Sequence, residues 1–435
     1  MKNKLTLQQK LDKRIQKVHQ PSNLIYWGYH MLQKYIVSAK YKKKVHYIDD
    51  IRKTTGPAFV IYNHLSRIDH LWFVHTIYPR KMNILAGYNE FFRSHLQFVF
   101  KLNQVIPKKI YNDDLTSFRG MRRIIDDGGI ICFAPEGMSS IYGTNQPVVP
   151  GTGHFLKHYG IPVYYLGIRG SYCAQNKVCL KEKKGPIELE MKLLFSPEDL
   201  KKLTNEEIND RINLENKHDE YLWCQEKGYT YKGEGFMTDN LEDICYKCPK
   251  CGAELMMHAA DDKIWCANCG NGATMNEHYA FEPFEKDCVI PVAPTKWVEY
   301  ERMEIIKEIR KNPSYSYEVK VKVGCLDKYK YIKKKKTSNL CGEGVFRVDH
   351  DGIHFKGTKN GEPFEFDMDY KKVYTLAMVT DVTNFSLYVG GDFHEFYPET
   401  RCAGKLLLLV EEMHRLHVNV WKNFPRNDFM YQNID

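Results

Sequence analysis

A histidine and a carboxylate stand five positions apart in Asn63-His64-Leu65-Ser66-Arg67-Ile68-Asp69. A neutral imidazole can take a proton from an alcohol. A carboxylate on its second nitrogen fixes the tautomer and steadies the imidazolium that forms. The spacing alone is a weak signal. The chain has 17 histidines, and with Asp at roughly one residue in twenty, about one His-x4-Asp pair arises by chance. The competing reading is a solvated loop histidine beside a helix-capping aspartate. A second carboxylate, Glu136, stands in Ala134-Pro135-Glu136-Gly137. A third group is sulfur: Cys248, Cys251, Cys266 and Cys269 form a CxxC-x14-CxxC array with Gly252 and Gly270 directly after the pairs. Each CxxC turn aims two thiolates at one point, and four make the tetrahedral site that Zn²⁺ prefers. With every position filled by protein the metal is expected to be structural. Cys245 leaves an alternative ligand set open.

These groups need elements to present them. Ala58-Phe59-Val60-Ile61-Tyr62 is apolar and β-prone, which predicts a strand that delivers His64 at its end. Gly129-Ile130-Ile131-Cys132-Phe133 is a second buried-strand pattern. It lies about 70 residues on, a distance that suits neighbouring strands of one α/β domain. A strand running into Pro-Glu-Gly presents a carboxylate and a flexible backbone at the sheet edge. Ligands of open α/β sheets bind just outside the carboxyl ends of the strands. Two such ends carrying His, Asp and Glu are hard to dismiss together.

In this order the blocks resemble the glycerolipid acyltransferase superfamily, lysophosphatidic acid acyltransferase type. The Asn-His-x4-Asp block is matched by Asn63, His64 and Asp69, and the Phe-Pro-Glu-Gly block by Phe133, Pro135, Glu136 and Gly137 with Ala134 inserted. Two looser blocks are similar to Glu90-Phe91-Phe92-Arg93 with Val105-Ile106-Pro107-Lys108-Lys109, and to Gly160-Ile161-Pro162-Val163-Tyr164-Tyr165. The resemblance covers roughly residues 50 to 235 and implies an O-acyltransferase. His64 would deprotonate the acceptor hydroxyl, Asp69 would orient it, and the oxygen would attack an acyl thioester directly. Asn63, Glu136 and Gly137 would serve acceptor binding, with Lys108 or Lys109 holding its phosphate as a point charge. The donor implied is acyl-CoA or acyl carrier protein, and the acceptor a lysophospholipid. Many members continue Pro-Glu-Gly-x-Arg-Ser, whereas here Ser139 stands where the arginine is usual. The phosphate could then be anchored elsewhere, for example by Arg169, or the acceptor could be another lipid alcohol or a glycolipid.

At 435 residues the chain is long enough for two or three domains with real cores. A net charge of +9 favours anionic partners. No cleavable signal follows the basic start, and no run of about 18 apolar residues predicts a membrane span. A cytoplasmic protein, peripheral on the inner face of the membrane, is therefore expected, with its remaining cysteines reduced and no disulfides. Leu24, Gly28, Met31 and Tyr35, with Ile25, Leu32 and Ile36 beside them, fall at helical spacing among many lysines. Such a helix can lie in an anionic bilayer interface or pack on the catalytic domain.

The expected architecture is an α/β layered catalytic domain with a mixed sheet, a small zinc ribbon and a C-terminal β-rich domain of pleckstrin-homology-like or GRAM-type pattern. The divisions are 1–50 for the basic amphipathic segment and 51–235 for the acyltransferase domain, closed by a polar linker at Lys232-Gly233-Glu234-Gly235. The ribbon takes 240–285, a helical connector 286–312, and the β-rich domain 313–425, ending in a helix from Gly404 to about Val420. Hairpin turns are expected at Asp351-Gly352 and Asn360-Gly361. The run Lys333-Lys334-Lys335-Lys336 reads as a solvated loop or an anionic-membrane contact. Nucleic acid is not expected as a partner, because Glu254, Asp261 and Asp262 offset the lysines of the ribbon. The rival class is a non-catalytic lipid- or nucleic-acid-binding scaffold, against which the intact His64 and Asp69 argue.

Overall fold

The computed structural model describes residues 5–112, 114–379 and 381–418. Val420 and the expected end of the β-rich domain at 425 lie outside them.

The first sheet has seven strands: β1 (Lys42–Tyr47), β2 (Ala58–Tyr62), β3 (Met82–Gly87), β4 (Ile106–Lys108), β5 (Ile130–Phe133), β6 (Val163–Arg169) and β7 (Pro186–Phe195). Their order is β1-β7-β6-β2-β5-β3-β4. β2 is central and parallel to both neighbours, with Val60 opposite Cys132 of β5 and Tyr164 of β6. Only β6 and β7 pair antiparallel, so the sheet is mixed. β2 is buried along its whole length, which is why its sequence is a continuous apolar run and not an alternation. Its two faces feed different cores. Val60 and Tyr62 pack with Trp72 and Phe73 on one side, and Phe59 and Ile61 with Ile124 and Leu156 on the other.

Downstream, β8 (Met257–Ala260), β9 (Lys263–Cys266), β10 (Gly272–Met275) and β11 (Phe281–Pro283) form a four-stranded antiparallel ribbon. The helix Pro294–Lys311 follows. Its Trp297 is fully buried and donates from Nε1 to Lys247 O at 2.8 Å, which ties helix to ribbon. A second seven-stranded sheet comprises β12 (Ser316–Cys325), β13 (Asn339–Asp349), β14 (Ile353–Lys359), β15 (Glu362–Met368), β16 (Ala377–Met378), β17 (Phe385–Val389) and β18 (Asp392–Pro398). It is antiparallel throughout, in the order β15-β14-β13-β12-β18-β17-β16. Asn360 and Gly361 turn between β14 and β15 with positive φ, as a two-residue hairpin requires. The helix Ala403–His417 is the last element among the described residues, and its Glu411 and Glu412 hold Arg302 of the connector helix at 2.7 and 2.5 Å.

The structure corrects the sequence reading in several places. The first 50 residues are not a separate segment, because β1 belongs to the first seven-stranded sheet and runs parallel to β7. Lys42 and Lys44 are exposed on it, and an edge strand is where lysines are tolerated, since they discourage further pairing. The helical pattern is present as Asn23–Leu32, continued by a π turn at Gln33–Val37. Residues 232–235 are not a loose linker. Tyr231 is buried with its hydroxyl on Pro186 O at 2.5 Å, and Lys232 N donates to Lys184 O at 3.1 Å. A Cβ on Gly233 would stand 2.6 Å from Met237 Sδ, so that glycine serves close approach and not flexibility. One apolar core then runs unbroken from Trp72 through Cys248 of the ribbon to Leu406 of the last helix. Finally, a disulfide joins Cys325 and Cys341, Cα–Cα 6.1 Å, against the expectation of none. Both lie in paired strands β12 and β13 beside a bulge at Val323/Gly324, a pairing that cysteine spacing alone could not reveal.

Candidate active site

β2 ends at Tyr62, and the next seven residues fold into a tight turn around one carboxylate. Asp69 Oδ2 accepts from His64 Nδ1 at 2.8 Å and from the backbone N–H groups of Leu65 and Ser66, each at 2.9 Å. Its other oxygen accepts from Ser171 Oγ at 2.5 Å, and Trp72 Nε1 donates to that same Oγ at 3.0 Å. Asp69 is 1% exposed, while the His64 side chain keeps 26% of its surface. A carboxylate on Nδ1 makes Nδ1 the protonated nitrogen and leaves the Nε2 lone pair free. Among the described residues no partner occupies Nε2. The result is a held imidazole with its basic nitrogen turned outward.

The backbone of the turn is clamped as firmly as the ring. His64 N donates to Glu136 Oε2 at 2.7 Å, and Ser140 N donates to His64 O at 2.7 Å. Asn63 binds both backbone groups of Ile168, donating to its O at 2.8 Å and accepting from its N at 2.7 Å, which locks the end of β2 to β6. Gly137 has φ +80, and a Cβ there would meet Tyr111 Cε1 at 3.0 Å. Tyr111 donates to Glu136 O at 3.2 Å and stacks edge-on against Tyr374 of the β-rich domain.

The structure thus gathers His64, Asp69, Asn63, Glu136 and Gly137 into one constellation but gives the last three a different task from the one expected. Glu136 is 1% exposed, and its carboxylate accepts from the His64 backbone at one oxygen and from Asn216 Nδ2 at 3.4 Å at the other. Lys108 and Lys109 stand apart. Lys108 Nζ donates to Asn112 O at 3.0 Å, and Lys109 Nζ donates to Gly391 O at 3.2 Å between the rings of Tyr88 and Tyr388. Arg169, one residue past the Ile168 that Asn63 grips, faces His218, whose Nε2 in turn meets Glu220 at 2.7 Å. Ser139 is buried, so nothing at that position reaches out as an arginine would. Sequence reasoning missed Ser171, which stands 102 residues from the aspartate it holds and carries no local signal. It also passed over Arg67, three residues after His64. Arg67 is exposed, has no hydrogen bond among the described residues, and interacts electrostatically with Arg93, Glu90 and Asp381. Next to it Lys177 is buried, donates to Met378 O at 2.8 Å, and is pushed down to about 7 by burial and then by Arg67.

At the ribbon, one sulfur from each of Cys248, Cys251, Cys266 and Cys269 lies within 4.8 Å of all the others. Cys248 and Cys269 approach to 3.7 Å, and Cys251 and Cys266 to 3.8 Å. A tetrahedron with metal–sulfur distances of about 2.3 Å has sulfur–sulfur edges of about 3.8 Å, so the cluster could bind a metal such as zinc. Asn268 donates to Cys251 Sγ at 3.5 Å and helps draw that thiol down to about 6. Cys245 is buried and stands outside the cluster.

The site thus lies in an α/β domain where a central parallel strand ends in a carboxylate-held histidine, beside a second strand that ends in Pro-Glu-Gly. Residues 42–169 match the family model described as Acyltransferase. The match begins at β1, in keeping with its place in the sheet. Among solved structures, the chain is similar to the 1-acyl-sn-glycerophosphate (LPA) acyltransferase PlsC from Thermotoga maritima, at 17% identity and a TM-score of 0.36, covering 44% of this chain and 76% of that one. A comparison with curated proteins finds no match.

Proposed function

We propose that the protein moves a fatty acyl chain from an acyl thioester, acyl-CoA or acyl carrier protein, to a hydroxyl of a lysophospholipid such as a 1-acylglycerol-3-phosphate, in phospholipid biosynthesis. The single observation that carries this reading is the His64–Asp69 pair with Nε2 left open at the end of β2. His64 Nε2 takes the hydroxyl proton as the oxygen attacks the thioester carbonyl. The thiolate leaves and recovers that proton from the imidazolium. Asp69 offsets the charge that grows on the ring. Direct transfer is favoured because, among the described residues, no serine or cysteine is hydrogen-bonded to His64 Nε2. Arg67, exposed and without a hydrogen bond among the described residues, is a better candidate than Lys108 or Lys109 for the acceptor's phosphate.

The metal is proposed to be one structural Zn²⁺, and the β-rich domain to be pleckstrin-homology-like, on its antiparallel order and closing helix. Peripheral attachment to an anionic inner membrane face is supported by the helix Asn23–Leu32, which leaves Leu24 and Trp27 in water. No helix among the described residues is long and apolar enough to cross a membrane. The buried Ser139 favours a second reading, in which the acceptor is a neutral lipid alcohol or a glycolipid.

The test is transfer from labelled acyl-CoA and acyl carrier protein to lysophosphatidic acid, glycerol 3-phosphate, a lysophosphatidylglycerol and a monoacylglycerol, with His64→Ala as control. Transfer to a phosphate-bearing acceptor, lost in the control, supports the first reading. Transfer to the neutral acceptor alone supports the second. Turnover that survives in His64→Ala removes the base.

A further inference from the structure

The lysine run joins β12 to β13, yet it is pinned to the opposite end of the sequence. Ile332, 1% exposed, is buried with Leu7, Leu11 and Ile15 of the helix Leu7–Ile15 and with Phe91 and Phe92. Backbone bonds fix the run on either side. Ile332 N donates to Phe92 O at 2.8 Å, Ser94 N to Ile332 O at 2.9 Å, and Leu7 N to Lys328 O at 2.8 Å. Arg14 closes the junction by donating to Phe100 O at 3.0 Å and Val105 O at 2.8 Å, where the helix Gln97–Leu102 ends. Three stretches far apart in sequence therefore meet on one small apolar cluster.

What this junction turns outward is unusual. With Ile332 facing in, Lys330, Lys333, Lys334, Lys335 and Lys336 are exposed. The short helix beside them leaves Phe98 73%, Val99 41% and Leu102 36% exposed. The loop is neither free nor solvated by default, since its own backbone is held in place to display the lysines next to apolar side chains.

We infer that this junction is a composite docking surface for an anionic phospholipid bilayer, with Phe98, Val99 and Leu102 entering the interface and the lysines lying against lipid phosphates. Stable peripheral binding needs two signals, an apolar insertion and a basic patch, and both are assembled here from separate domains. A nucleic acid would use the lysines but leave Phe98 and Leu102 in water. The inference rests on the proposed acyl transfer to a bilayer-resident acceptor. It also extends it, because Glu90 and Arg93 of the same segment interact with Arg67, three residues from His64. Docking through this surface holds the mouth of the site toward the leaflet.

The experiment is sedimentation of the full-length chain with phosphatidylcholine vesicles, with and without phosphatidylglycerol. Binding is expected to require the anionic lipid and to weaken as salt rises. Each lysine near an anionic surface contributes about a fivefold gain in binding. The quadruple variant Lys333→Gln/Lys334→Gln/Lys335→Gln/Lys336→Gln should therefore lose roughly a hundredfold or more, and Phe98→Ser/Leu102→Ser about tenfold. All of these side chains are exposed, so both variants should melt as the parent does. His64→Ala should bind vesicles like the parent, which separates failure of the surface from failure of the acyl-transfer reading. Undiminished vesicle binding in either multiple variant overturns the inference, as does tighter binding to a single-stranded RNA oligonucleotide than to anionic vesicles.

Discussion

The histidine turn and the four-cysteine cluster are built on opposite plans. The cluster draws its ligands from two short CxxC turns, and its geometry is complete within residues 248–269. The histidine turn also draws His64 and Asp69 from one short stretch, but beyond the backbone N–H groups of Leu65 and Ser66 its supports come from elsewhere. Glu136 grips the His64 backbone, Ser171 takes the free oxygen of Asp69, and Asn63 reaches across to β6. A metal site can be local because the metal itself supplies the organising bonds. A proton-transfer site has no such centre and must borrow rigidity from the sheet. Damage to the cluster should therefore be felt as lost stability, and damage to the turn as lost rate.

The largest separation is expected between His64→Ala and metal removal. His64→Ala should lower turnover by about 10³-fold or more while the melting temperature stays near that of the parent, because the ring is partly exposed and Asp69 Oδ2 keeps the backbone N–H groups of Leu65 and Ser66 when the imidazole is gone. Chelation, or Cys248→Ser/Cys251→Ser, should do the reverse. Metal analysis should fall from about one zinc per chain to none, and unfolding free energy should drop by several kcal/mol. The drop should spread beyond the ribbon, since Cys248 and Cys266 belong to the same core as Trp72 and Leu406. A double mutant that keeps stoichiometric metal removes the ribbon assignment. A His64→Ala protein that melts far below the parent makes the turn structural and erases the contrast.

The same contrast explains what was legible in the sequence. Groups that act from within one short stretch were visible: the His64–Asp69 spacing, the CxxC pairs and the Asn360-Gly361 turn. The strands β2 and β5 were visible too, because strands buried on both faces leave uninterrupted apolar runs. Contacts across the fold were not. Ser171 is an ordinary serine until β6 brings it beside Asp69, and the lysines of β1 imitate the flank of a surface helix until β7 pairs with them. Lys108 and Lys109 were plausible phosphate ligands by type, but Lys108 is bonded to Asn112 O within its own loop and Lys109 to the distant Gly391 O. Cys325 and Cys341 meet only through strand register.

Ser171→Ala sharpens the comparison from the side of the borrowed supports. It deletes one donor to a buried carboxylate and leaves Asp69 Oδ1 without its partner, a change worth about 1–3 kcal/mol. Turnover should fall roughly 10- to 100-fold. Ser171→Thr, which restores a hydroxyl, should recover much of the rate. Equal losses in both variants would mean that the hydroxyl bond to Asp69 is not what supports the turn.

The smallest effect concerns Lys177, which touches neither plan directly but joins the catalytic domain to the β-rich sheet through Met378 O. Burial holds its amine down to about 7, from an ordinary 10.5. Between those two values the unfolded chain binds a proton that the folded chain does not, so stability should rise as pH climbs from about 7 toward 10.5. Below the lower value the folded chain carries a buried cation, and the full penalty is present. Lys177→Met should therefore stabilise the protein at neutral pH by about 1–3 kcal/mol and flatten the slope across that window. Unfolding titrations in urea at several pH values measure both quantities. The gain should disappear near the upper end of the window, where the parent lysine is neutral in both states. A variant that is less stable than the parent at pH 7 would mean that the bond to Met378 outweighs the cost of burying the amine. The catalytic domain would then depend on the β-rich domain through a charged clamp, as the histidine turn depends on its distant supports.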